Sequence, residues 1–125
     1  MSGEPILVVD DNPLNVKLLR ILLTKEGYEV QTAPDAEEAL RLLATYRPKL
    51  ILLDIQLPGM DGFQLVRKLR ADPSLRSVKV VAVTSYAMKG DEQKAIDAGF
   101  DGYIPKPIDT RALPDAVKKY VTKAS

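Results

Sequence analysis

Pro5-Ile6-Leu7-Val8-Val9-Asp10-Asp11-Asn12-Pro13 is the stretch on which the fold turns. Ile6 to Val9 form an unbroken apolar run, and a run without alternation predicts a strand buried on both faces. Two carboxylates end it. Asn12 is a good N-cap and Pro13 a good first helical residue, so the chain is expected to pass from buried strand to helix within a few residues.

The same grammar repeats along the chain. Leu14, Leu18, Ile21 and Leu22 recur at helical spacing, and Gly27 supplies the stop. Tyr28 to Ala33 reads as a second strand, more polar and so nearer an edge. Asp35 caps a helix carrying Ala36, Ala39, Leu40 and Leu43, with Pro48 beyond its end. Leu50-Ile51-Leu52-Leu53 is again apolar throughout and is followed by Asp54. Pro58-Gly59-Met60-Asp61-Gly62 is a loop by composition, and Phe63, Val66, Leu69 and Arg70 fit a helix ended by Asp72-Pro73. Val80 to Val83 form the fourth strand and Tyr103-Ile104 a short fifth. Between them Ser85 to Gly90 reads as loop, and a helix runs to Ala98 with Gly99 as its stop. Asp109 or Thr110 is expected to cap a last helix with Leu113, Val117, Tyr120 and Val121, Pro114 fitting its opening turn.

Five strand–helix alternations with doubly buried strands predict an α/β fold: a doubly wound, five-stranded parallel sheet of flavodoxin-like order 2-1-3-4-5, with helices on both faces. At 125 residues the expectation is a single domain over residues 1–125 with no output domain.

Composition narrows the chemistry. There is no cysteine and no histidine, which excludes disulfides, thiolate catalysis, imidazole metal sites and a Ser-His-Asp triad. Any metal must be held by oxygen. Eighteen basic and seventeen acidic residues give a net charge of +1, which argues against nucleic-acid binding through bulk charge. No apolar run reaches membrane-spanning length and the N-terminus lacks the pattern of a signal peptide, so no membrane partner is expected and a cytoplasmic location is.

In a parallel sheet of this order the C-terminal ends of the strands share one edge, where ligands bind. Asp10 and Asp11 after the first strand, Asp54 after the third, Thr84 and Ser85 after the fourth and Lys106 after the fifth are therefore expected to meet. Two unit charges ~4 Å apart at an effective dielectric of about 20 repel by roughly 4 kcal/mol. Three carboxylates thus call for a hard divalent cation, and Mg²⁺ suits a few carboxylates plus a phosphate. With Lys106 and Thr84 beside it, Asp54 is placed as a nucleophile that accepts a phosphoryl group.

Val8-Val9-Asp10-Asp11, Leu53-Asp54 with Pro58-Gly59-Met60-Asp61-Gly62, Val83-Thr84 and Lys106-Pro107 together resemble the response-regulator receiver domains of the chemotaxis-Y type. Within that family the single-domain cell-cycle regulators of the DivK type are similar through Asp54–Pro58 (DIQLP) and Ala82–Asp91 (AVTSYAMKGD). The resemblance implies phosphorylation at Asp54, Mg²⁺ held by Asp10, Asp11, Asp54 and the Gln56 carbonyl, and phosphoryl contacts from Thr84 and Lys106. It implies a switch through Thr84 and Tyr103, and tuning of phosphate lifetime at Gln56 and Tyr86. It implies a cis bond before Pro107. A histidine kinase or histidine phosphotransfer protein would be the donor. A protein target would bind the surface of the fourth helix, fifth strand and fifth helix. The protein would then be a switch that catalyses only its own phosphorylation and dephosphorylation. Ser85, where alanine is frequent, and Pro105 before Lys106 depart from the common pattern.

Other readings set against these are helix capping for Asp10-Asp11, a fixed aromatic at Tyr103, packing for Met60 and Met88, and a solvated helix face for Lys89, Asp91, Glu92 and Lys94. Two further functions share the architecture: a Mg²⁺-dependent phosphohydrolase with an aspartyl nucleophile, and a flavin carrier. Gln56 standing where a general acid is wanted speaks against the first, and the carboxylate cluster speaks against the second.

Overall fold

The computed structural model describes residues 3–85 and 90–122. Five parallel strands, β1 (Pro5–Val9), β2 (Glu29–Ala33), β3 (Leu50–Asp54), β4 (Lys79–Thr84) and β5 (Gly102–Pro105), lie in the order β2-β1-β3-β4-β5. The connecting helices are α1 (Pro13–Lys25), α2 (Ala36–Leu43), α3 (Gly62–Ala71), α4 (Asp91–Ala98) and α5 (Leu113–Thr122), with one 3-10 turn at Pro73–Leu75. No helix among the described residues is long and apolar enough to cross a membrane.

Period-two alternation divides the core between the two faces of the sheet. Ile6, Val8, Leu50, Leu52, Val81 and Val83 meet Leu19 and Leu23 of α1 and Leu113 and Val117 of α5. Leu7, Val9, Ile51, Leu53, Val80 and Ala82 meet α2, α3 and α4. Strands β1, β3 and β4 are thus buried on both sides, which is why their sequences show no alternation. β2, at the edge, keeps Glu29 and Gln31 exposed and Thr32 half-buried.

The helix boundaries follow local chemistry. Asn12 caps α1 by accepting from the Leu14 N–H (2.9 Å), and Asp35 caps α2 through the Glu38 N–H (2.8 Å). Asp61 and Gln64 form a reciprocal capping box, so α3 begins at Gly62 rather than Phe63. Pro114 sits in the first turn of α5, as its missing N–H requires.

One expectation is corrected. The inward face of α1 is not the one marked by Leu14 and Ile21, which are 78% and 55% exposed; Leu19 and Leu23 point into the core instead. Seven of the thirteen residues of α1 are apolar, so spacing alone does not select a face. Asp109 lies four residues before α5 and caps the turn that leads into it: its side chain accepts from the Arg111 and Ala112 N–H groups, and its carbonyl accepts from the Leu113 N–H (3.0 Å).

At the end of the sheet remote from Asp54, one side chain ties several segments together. Arg70 donates through Nε to the Gly99 carbonyl (2.8 Å) and through Nη1 to those of Val78 (2.9 Å) and Arg76 (3.1 Å). Its Nη2 donates to Asp101 Oδ2 (2.6 Å), which also accepts from the Val80 N–H (2.9 Å). The carbonyls that follow α3 and α4 are thereby satisfied by one planar guanidinium.

Candidate phosphoacceptor site

Asp10 is the first residue past β1 and Asp54 the last of β3, and these strands are direct neighbours. Both carboxylates are almost wholly buried, at 3% and 4% exposure, while Asp11 is exposed. One oxygen of each of the three residues lies within 4.8 Å of the others. The sheet order thus brings together acids that are far apart along the chain.

Each buried carboxylate has one oxygen fixed by the backbone. Asp10 Oδ1 accepts from the Asn12 N–H (2.8 Å), and Asp54 Oδ1 accepts from the Gln56 N–H (2.9 Å). The other oxygens turn toward Lys106, whose Nζ lies 3.1 Å from Asp54 Oδ2 and 3.4 Å from Asp10 Oδ2. Asp10 Oδ2 has no hydrogen-bond partner although it is buried. Burial pushes the Asp10 carboxyl above its ordinary value and the charge on Asp54 adds to this; the Asn12 N–H and Lys106 act in the opposite direction.

Lys106 is held by its own backbone. Its N–H donates to the Thr84 carbonyl (2.8 Å), extending the β4–β5 ladder by one step, and its bond to Pro107 is cis. Thr84 ends β4 and is fully buried. Tyr103, in β5 opposite Ala82, is half-buried against the core on the α2–α4 side. Tyr86, Met88 and Lys89 lie outside the described residues; Glu92 and Lys94 are solvent-exposed, and Met60 packs against the core.

Two features have no signature of their own in the sequence patterns above. The Ser85 hydroxyl donates to Gln56 Oε1 (2.8 Å), joining the loops after β3 and β4 beside the Asp54 carboxylate. Neither residue type announces such a contact. Gly62 packs directly behind Asp54, and a β-carbon there would stand 2.8 Å from the Asp54 carbonyl oxygen. A glycine opening a helix beside a buried strand end is the available signal.

The residues fit a hard cation. The donor set is all oxygen, it carries three formal negative charges, and the buried Asp10 Oδ2 makes no hydrogen bond, facing Lys106 Nζ at 3.4 Å.

Comparison with known proteins bears on what this arrangement is for. The family profile described as response regulator receiver domain matches residues 6–118. The chain is 42% identical over 121 residues to the polar-differentiation response regulator DivK of Brucella anthropi, covering 97% of this chain and 98% of that protein. The receiver domain of the sensor histidine kinase PA1611 from Pseudomonas aeruginosa, solved with a magnesium ion coordinated in its active-site cleft, superposes with a TM-score of 0.88 at 32% identity, over 98% of this chain and all of that one. The chemotaxis response regulator CheY4 of Vibrio cholerae superposes with a TM-score of 0.89 at 26% identity, over 95% and 99% of the two chains.

Proposed function

Because this chain belongs to the response regulator receiver-domain family, we propose that Asp54 is its phosphoacceptor and that the Asp10–Asp54–Lys106 constellation drives its own phosphorylation. The observation that carries the reading is the placement of Lys106 Nζ 3.1 Å from a buried carboxylate that also faces Asp10 and Asp11. A solvated strand end has no need of such a setting.

A carboxylate oxygen of Asp54 attacks the phosphorus of a phosphohistidine on a histidine kinase or phosphotransfer protein. The P–O bond forms as the P–N bond breaks, and the imidazole leaves with the bonding pair. The Gln56 N–H holds the carboxylate in place, and Lys106 offsets charge on the transferred group. Asp10, Asp11, Asp54 and the Gln56 carbonyl would hold Mg²⁺, which when bound supplies electrostatic stabilisation of the phosphoryl oxygens. Once phosphorylated, Asp54 carries about −1.5 to −2 charge and three strong acceptors. Thr84 and Lys106 are the donors for them, and Thr84 is joined through β4 and β5 to Tyr103. That path would carry the change to the surface of α4, β5 and α5, where a target protein would read it. Gln56, an amide held by Ser85, stands where an ester-cleaving enzyme would want an acid.

The direct test is incubation with a small phosphodonor and Mg²⁺. One acid-labile phosphate per chain, mapped to the Asp54 peptide, is expected. Turnover of phosphate esters without retained label, or label on another peptide, would overturn the assignment.

The acidic cluster also makes a stability prediction. Asp10→Asn removes one buried charge and its repulsion with Asp54 while keeping an acceptor for the Asn12 N–H. In chelator it is expected to stabilise the fold by about 0.5–2 kcal/mol, as relief of strain at a functional site does. Added Mg²⁺ should raise the melting temperature of the native protein and move that of the variant much less. Equal shifts in both proteins would remove Asp10 from the cation site.

A further inference from the structure

At the edge of the sheet opposite Asp54, the starts of β3 and β4 are basic. Lys49 directly precedes β3, Lys79 opens β4, and the Lys79 N–H donates to the Lys49 carbonyl (3.3 Å), so the two lysines rise from adjacent strands. With Arg47 they line a cleft of about 430 Å³. None of the ion pairs among the described residues involves any of the three. No carboxylate lines the cleft. The nearby Asp72 accepts from the N–H and hydroxyl of Ser74 (2.9 and 2.8 Å); these bonds, and to a lesser degree the charge on Arg47, hold its carboxyl below the ordinary value, so Asp72 offsets part of the charge of Arg47 and pairs with neither lysine.

The remaining walls supply the Ser77 and Tyr120 hydroxyls and an apolar floor; the Ser74 hydroxyl is already donated to Asp72. Ser74, Ser77 and Tyr120 line the cleft beside buried Pro48 and Val78. Arg47 is already positioned, donating through Nη2 to Ser74 Oγ (3.3 Å) and through Nη1 to the Tyr46 carbonyl (3.2 Å). Tyr120 is seated by a glycine: its phenol fills the space that a β-carbon on Gly102 would take. Burial, and then the charges on Asp101 and Glu92, hold that phenol above its ordinary value, so it remains a donor at neutral pH. Lys119 Nζ lies 5.7 Å from its ring centre and adds positive potential outside the cleft.

We propose that this cleft is a binding site for a polyphosphate group, a pyrophosphate unit either free or carried on a nucleotide. Three cations without a salt bridge in one concavity repel one another and focus a field that an anion of several charges relieves. Arg47, its Nη1 held by the Leu43 and Tyr46 carbonyls, keeps Nε and one Nη2 hydrogen for phosphate oxygens, and the lysines act as point charges beside it. The volume lies within the range of small-ligand sites and exceeds the needs of one phosphate. The site is separate from the phosphoacceptor: Leu50 to Asp54 span the sheet, four steps of ~3.3 Å or about 13 Å.

The test is calorimetric titration of the full chain, in chelator, with pyrophosphate, nucleoside triphosphates and inorganic phosphate, with amide resonances followed in parallel. One-to-one binding of pyrophosphate or a nucleotide is expected, stronger than that of phosphate and weaker at higher salt. Shifts should fall on residues 47–49, 74–79 and 120–121. Lys49→Gln with Lys79→Gln should weaken binding at least tenfold, and so should Ser77→Glu, a change at an exposed position. Both variants should still accept phosphate at Asp54, which shows that they are folded. Tighter binding of a nucleotide than of pyrophosphate assigns a carried polyphosphate; equal binding assigns the bare chain. Absence of saturable binding, unchanged affinity in both variants, or shifts confined to Asp10, Asp54 and Lys106 would overturn the site.

Discussion

Asp54→Asn is expected to lower phosphate incorporation at least 100-fold, from a small phosphodonor and from a phosphohistidine alike, in a protein that stays folded. The exchange keeps volume and shape. A side-chain carbonyl oxygen remains to accept from the Gln56 N–H, and Lys106 keeps Asp10 as a partner at 3.4 Å. What is lost is the nucleophile, because a neutral amide oxygen does not form a stable phosphoryl adduct. A 100-fold loss corresponds to about 2.7 kcal/mol of barrier, well inside what removal of an attacking group produces. The same substitution removes one of two charges buried at 4% exposure or less, so the variant should melt no lower than the parent in chelator. Melting and labelling therefore move independently, which separates loss of chemistry from loss of fold. Labelling that persists in Asp54→Asn would transfer the acceptor role to Asp10 or Asp11, the other carboxylates within reach.

The parts of this site that are legible in the sequence are those that depend on strand ends. A strand buried on both faces holds polar residues only at its ends here, so the change from Val9 to Asp10, or from Leu53 to Asp54, marks the edge of the sheet to within a residue. Once parallel order is granted, those ends have no freedom to lie elsewhere. Helix faces are another matter. α1 is apolar on more than one side, and only the position of α5 and the sheet decides that Leu19 and Leu23 go in while Leu14 and Ile21 stay out. Contacts between loops are less legible still. The Ser85–Gln56 bond depends on how two irregular segments approach, and neither segment carries a periodic pattern that could reveal it. The cleft at the opposite edge is hidden for a similar reason: Arg47, Lys49 and Lys79 look singly like solvated strand starts, and only the β3–β4 register makes them neighbours.

That dependence of the site on backbone approach makes Gly62 the most sensitive position that touches no phosphate. Its amide donates to the Ile55 carbonyl (2.9 Å), drawing the first turn of α3 against the end of β3. A β-carbon at Gly62 would stand 2.7 Å from Ile55 Cα and 2.8 Å from the Asp54 carbonyl oxygen. Both are main-chain atoms, so no rotamer change relieves the overlap, and either α3 lifts or the Asp54 backbone shifts. Overpacking of this kind costs about 1–3 kcal/mol, which exceeds the helix-propensity gain of alanine over glycine, at most ~1 kcal/mol. Gly62→Ala is therefore expected to lower the denaturant midpoint by an amount equivalent to roughly 1–2 kcal/mol. Displacement of a reacting carboxylate by ~1 Å is enough to slow a positioned reaction about 100-fold, so labelling should fall by tenfold or more in the fraction that remains folded. Gly59→Ala is the control. Gly59 has φ +72° but open space around a β-carbon, so its substitution should cost about 1–2 kcal/mol through left-handed backbone strain and leave the labelling rate near that of the parent. If the two variants lose stability alike and label alike, the loop from Ile55 to Asp61 absorbs the added carbon, and Asp54 owes its position to the sheet and to Lys106 rather than to the helix packed behind it.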